Sequence, residues 1–153
     1  MKRSDVEDGV LALIAASSLG PVLQHGTLEI FDDSKIDNEG QIIVITPAVL
    51  LVPGTNKFAQ TDVYGYTYGQ QMFFTLLVAA QNYRSPESRR QGEAGVLGVN
   101  QMLETLKDAL RGQNPVPAIY SGARIVLVQE DPEPEIGPGT VYSLTVRVIG
   151  TLE

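Results

Sequence analysis

The chain has 153 residues, a formal charge of −7 and no cysteine, with a sequence pI near 4.6. That length suits one ordinary domain able to bury its own core, and the missing cysteines exclude disulfide frameworks, zinc–thiolate sites and thiol nucleophiles. Net acidity argues against a nucleic-acid-binding surface spread over the whole molecule, so any basic function must be local.

Met1-Lys2-Arg3 leads into a helical pattern without a small-residue cleavage site, so no signal peptide is expected. The longest apolar run, Met72 to Ala80, falls far short of the roughly 20 residues that cross a bilayer. The expectation is a soluble, cytoplasmic single domain over residues 1–153, with no membrane contact.

In chain order, Ser4 and Glu7 have the form of a capping box, and Val6, Val10, Leu13, Ile14 and Ser17 then share one helical face. Gly20-Pro21 is expected to stop that helix. Thr27 to Phe31 reads as a short strand, and the polar segment 32–40 as turn chemistry. Ile42 to Val52 is a second apolar stretch, interrupted or placed at an edge by Pro47, which has no N–H to donate. A long third strand puts Tyr64, Tyr66, Tyr68, Met72, Phe74, Leu76, Val78 and Ala80 on one face. Its other face turns apolar only at Phe73, Leu77 and Ala79, so its centre is expected to be covered on both sides. Val96, Val99, Leu103, Leu106 and Leu110 recur at helical spacing, and Gly112 is the expected C-cap. Arg124 to Gln129 and Val141 to Leu152 complete the strands; the second alternates Tyr142, Leu144, Val146 and Val148 against Ser143, Thr145 and Arg147. Between them the Pro/Gly-rich acidic segment from Glu130 onward is expected to project as a loop. The predicted fold is α+β, a mostly antiparallel sheet flanked by two helices in the order α-β-β-β-α-β-β.

Catalytic chemistry is poorly represented. His25 is the sole histidine and lacks a nucleophile elbow, so a surface position before a strand is the better reading. Gly92, Gly95 and Gly98 match neither a dinucleotide fingerprint nor a P-loop, and read as a flexible start to the following helix. The segment Asp32 to Gly40 lacks calcium-loop spacing. Asp33-Ser34-Lys35 imitates the acid-x-Lys element of metal-dependent nucleases, but stands in the first turn rather than on a later strand. No catalytic residue, cofactor or metal is expected, and nuclease activity is kept as the lesser alternative.

Charge, by contrast, is segregated. Arg84, Arg89 and Arg90 with Glu87 leave one short segment at net +2, whereas Glu29 to Glu39 carries five acids against Lys35. Glu130, Asp131, Glu133 and Glu135 form a third group with no base among them. Patches of opposite sign suit a head-to-tail interface that closes a ring, although plain solvated loops explain them equally well. Tyr64, Tyr66 and Tyr68 are good interface residues, with apolar bodies and polar tips, and equally good rim residues of a core.

The N-terminal helix, Pro47-Ala48-Val49-Leu50-Leu51, the long apolar strand ending Gln81-Asn82-Tyr83-Arg84, the Gly92…Gly95…Gly98 start to a Leu-spaced helix ending Leu110-Arg111-Gly112, and the closing Tyr142-Ser143-Leu144-Thr145-Val146 together resemble the tail-terminator (tail-completion) family of Mu-like phages, and more distantly the lambda tail terminator. The resemblance runs from about Val6 to Val148 in weakly specific patterns. It implies a virion protein at the head-proximal end of the tail, assembled in the host cytoplasm, that forms a homo-hexameric ring and ends tube polymerisation. Implied partners are the tail tube protein, a neck or connector protein and a sheath protein, with DNA only as genome passing through the lumen. Arg84, Arg89, Arg90, Glu130, Asp131, Glu133, Tyr64, Tyr66 and Tyr68 would then be assembly contacts. A neck connector or head-completion protein is the alternative within the same logic.

Overall fold

A computed structural model describes residues 1–40, 43–60, 68–80, 92–93, 96–133 and 141–152. The first helix, α1, spans Arg3–Ala15 and buries Val6, Val10 and Ile14, the face that the apolar spacing indicates. Its start differs from the expected one. Lys2 occupies the N-cap position without a side-chain hydrogen bond, and Ser4 lies inside the helix, so no capping box forms. Gly20-Pro21 likewise opens a further helical turn, α2 (Gly20–Leu23), with proline at its permissive first positions. The earlier stop comes from Ser17, whose hydroxyl donates to the Ile14 carbonyl and accepts from the Leu19 amide at 3.2 Å.

The main sheet contains β1 (Thr27–Ile30), β2 (Ala48–Gln60), β3 (Tyr68–Ala79), β6 (Arg124–Pro132) and β7 (Val141–Leu152), in the spatial order β1-β2-β3-β7-β6. Its pairings are antiparallel except β1 with β2, which is parallel, so the sheet is mixed. A separate two-residue pair, β4 (Gly92–Glu93) with β5 (Val96–Leu97), precedes the helix α3 (Val99–Leu110). Val96 therefore belongs to a strand and not to the helix. Among the described residues the order thus contains a third helix and an additional strand pair.

Both long helices lie on the same face of the sheet rather than flanking it. Val6, Val10 and Ile14 of α1 and Val99, Met102, Leu103, Leu106 and Leu110 of α3 join Val49, Leu51, Met72, Phe74, Leu76, Val78, Leu144, Val146 and Val148 in one core. The register explains the set: Leu51 faces Leu76, Leu76 faces Leu144 and Phe74 faces Val146, so one parity of each strand points at the helices. Each such large side chain contributes roughly 1.5–3 kcal/mol by leaving water. The opposite parity forms a second, smaller cluster, Ala48, Leu50, Leu77, Ala79 and Val141, over which Phe31, Ile36, Val44 and Val52 pack. The expected two-sided cover of the third strand is therefore real, but non-helical chain supplies its second side.

Proline and glycine positions follow the sheet. The Thr46–Pro47 peptide is cis, and β2 begins immediately after it. Pro53 lies within β2 beside a register shift between Pro53 and Asn56; β1 pairs only as far as Leu51, so this proline stands where the strand has become an edge. At the end of α3, Gly112 has φ +70° and its amide donates to the Ile125 carbonyl at 3.0 Å, the C-cap role expected of it. At the start of α3 the Gln101 carboxamide accepts from the Gly98 amide at 3.0 Å.

Candidate assembly surface

Among the residues expected to make assembly contacts, Arg84, Arg89, Arg90, Tyr64 and Tyr66 lie outside the described residues. Tyr68 is the first residue of β3, where its backbone pairs with Gln60 on one side and Leu152 on the other. The three acids are placed in detail, and not on a loop: Glu130 and Asp131 belong to β6, paired with Leu144 and Ser143, and the Glu133 amide continues the ladder to the Val141 carbonyl at 2.8 Å. Pro132 is tolerated because β6 is an edge strand.

A bulge just before the three acids sets which face each one takes. Leu127 pairs with Val146 but Gln129 pairs with Thr145, leaving Val128 as the extra residue. Leu127 and Glu130, three apart, consequently both face the helices. There the Glu130 carboxylate lies 3.0 Å from Lys107 Nζ, which also reaches Glu104 at 2.8 Å. Hydrogen bonds donated to Glu104 and then to Glu130 hold the Lys107 ammonium above the usual lysine range. Asp131 and Glu133 fall on the opposite face. Gln129 Nε2 donates to Asp131 at 2.5 Å and Ser143 Oγ donates to Glu133 at 3.0 Å, so both carboxylates are oriented by neutral donors.

The other acidic segment is turn chemistry, as expected. Asp32 accepts from the Ser34 amide at 2.8 Å, and Asp37 from the Glu39 amide at 2.9 Å. The Ser34 hydroxyl and amide together hold the Asp32 carboxyl below its ordinary range. Asp33, Ser34 and Lys35 form a 3-10 turn, and Lys35 is ion-paired to Glu29 at 2.5 Å. The acid-x-Lys triplet therefore lies off the strands and its lysine is already engaged. His25 is exposed. Among the described residues no group of three or more His, Asp or Glu side chains is placed to hold a metal ion.

The structure adds a feature that charge runs along the sequence do not reveal. On the face away from the helices, where β2, β3 and β7 extend past the cluster around Leu50 and Leu77, lies a depression of about 480 Å³. Its walls include Lys57, Gln71, Arg147 and Ile149, and Ala59 and Gly69 contribute its small residues. Register explains the dent, because Ala59 pairs directly with Gly69 and two minimal side chains meet in adjacent strands. Lys57 Nζ stands 5.3 Å from the Phe73 ring centroid. Arg147 was legible as a polar-face residue of β7, but Lys57 gave no signal of its own in the sequence.

No curated protein matches the chain. The family described as Bacteriophage Mu, Gp37 matches residues 5–128, which take in α1 through the bulge of β6. On that match, which covers most of the chain, the protein belongs to the bacteriophage Mu Gp37 family.

Proposed function

We propose that this chain is a structural virion protein that caps the head-proximal end of a phage tail tube as a ring, ending tube polymerisation and presenting the surface that joins the neck. The observation that carries the reading is the match of residues 5–128 to a bacteriophage Mu family, on a fold whose two long described helices share one face of the sheet. The other face keeps half-buried residues such as Phe73, Thr75 and Thr145 beyond the small second cluster, which is surface available for assembly. The mechanism requires no chemistry. A ring complementary to the tube on one side and not on the other ends growth because the next tube ring meets no matching surface.

Electron microscopy of tails from a lysate in which the gene is disrupted tests this. Overlong, headless tubes are expected. Tails of normal length that fail to join heads would move the protein to the neck and overturn the capping role.

A further inference from the structure

Among the described residues no carboxylate lines the depression bounded by Lys57, Gln71 and Arg147, although the chain carries 18 acids against 11 bases. Among the described residues neither cation has an ion pair. Arg147 Nε is buried without a hydrogen-bond partner. A guanidinium N–H withdrawn from water and left unsatisfied is costly, and an incoming carboxylate is the acceptor that suits it best. Lys57, held over Phe73, places a second positive charge at the same opening.

Taking the ring reading as its basis, we infer that this depression receives the Asp131 and Glu133 strand end of a second copy of the chain, head to tail. Both acids lie on the same sheet face as the depression, because Asp131 pairs with Ser143, which pairs with Leu77 of the second cluster. They occupy the opposite corner. The row of Lys57, Gln71 and Ile149 and the row of Leu77, Ser143 and Asp131 are six residues apart along β3, or roughly 20 Å, and three strand spacings add roughly 14 Å across the sheet. Asp131 and Glu133 of one chain therefore do not reach that chain's own depression.

The neighbouring acid Glu130 is excluded from this contact, since the bulge at Val128 turns it to the helices and Lys107 binds it. Among the described residues, Asp131 and Glu133 are met by the neutral donors Gln129 and Ser143. Two carboxylates thus match two cations, and because the acidic and basic corners differ, each contact leaves a free corner at both ends. That is the heterologous arrangement which propagates until it closes. A nucleic-acid phosphate would also match the cations, but it would bring a polyanion to a chain of net charge −7.

The absence of native cysteine makes the contact directly testable by disulfide trapping. Purified protein carrying Lys57→Cys and Glu133→Cys, oxidised at about 1 mM so that even weak contacts are populated, is expected to give a ladder of covalent oligomers that collapses on reduction. The absence of a ladder, or covalent dimers from Lys57→Cys alone, would overturn the proposal. A charge swap provides a second reading: Lys57→Glu is expected to weaken self-association about tenfold or more, and the Lys57→Glu/Glu133→Lys chain to recover it. Failure of the swap to recover association, or protection of the depression from trapping by a short DNA duplex, would also overturn it. A ladder combined with normal-length tails from the gene-disrupted lysate would keep the contact and remove tail capping; overlong tubes without a ladder would do the reverse.

Discussion

Lys107 Nζ lies 3.0 Å from the Glu130 carboxylate, tying α3 to the edge strand β6 at the point where the Val128 bulge has turned that strand's acid toward the helices. Lys107 is about one-fifth exposed and Glu130 about one-third, so the pair is partly screened. Glu130→Gln is expected to cost about 0.5 kcal/mol at low salt, and less at high salt. Because Glu104 and then Glu130 raise the Lys107 pKa above 10.5, the stabilisation is fully present below that pH and disappears as pH rises through the higher folded value. Urea denaturation of both chains at neutral pH and above pH 11 checks this; an equal difference at both would show that the ion pair is not its source.

Gly9 sits in α1 where a Cβ would stand 1.8 Å from the Pro115 carbonyl oxygen. That carbonyl is backbone in a turn held by Asn114, whose side chain accepts from the Val116 amide at 2.8 Å and donates to the Tyr120 carbonyl at 2.7 Å. Helix propensity alone makes Gly→Ala stabilising by about 1 kcal/mol. Here the clash reverses the sign, and Gly9→Ala is expected to destabilise by about 2 kcal/mol or more. A thermal melt at or above that of the parent chain would contradict the close approach.

Phe74 is fully buried at the centre of the helix-facing core, paired with Val146. Phe74→Ala is expected to cost about 3–5 kcal/mol, a large share of a typical domain's stability of about 5–15 kcal/mol. Phe73→Ala, one residue along on the half-buried face, should cost distinctly less. Comparable losses in denaturant midpoint for the two variants would mean that the face assignment is wrong.

Gln70 is a buried amide on the helix-facing side of β3. Its Oε1 accepts from the Met1 α-amino group at 2.8 Å, and its Nε2 donates to the Met1 carbonyl and to Asn56 Oδ1, both at 3.3 Å. Gln70→Leu strands those partners and is expected to cost about 1–3 kcal/mol. Hydrogen exchange should quicken at the start of α1 in that variant; exchange confined to the tip of β2 and β3 would show that the amide does not anchor the amino-terminal segment.

Local patterns were the legible part of this fold. The alternation of Leu144, Val146 and Val148 against Ser143, Thr145 and Arg147 correctly assigned the faces of β7, since a strand's period of two is written directly in its residues. Val99, Leu103, Leu106 and Leu110 marked the buried side of α3 for the analogous reason. Gly20-Pro21 misled because the same dipeptide that ends one helix can begin the next, and the side chain of Ser17, not the dipeptide, sets the boundary. The acids from Glu130 onward looked like a loop because proline and glycine follow them; pairing with β7 across the sheet makes the first of them a strand.

An acidic α+β chain without cysteine, its principal helices and strands, and the side of each that must be buried all follow from composition and from periodicities of two and 3.6 residues. Tertiary structure alone decided that both long helices share one face, that Glu130 meets Lys107 while Asp131 and Glu133 look away from it, and that Lys57 and Arg147 line one depression. Each of these depends on strand register, and a single extra residue such as Val128 reverses which face a side chain takes. Register is fixed by partners distant in the chain, so the charges that assembly would use acquire their positions only when the sheet closes.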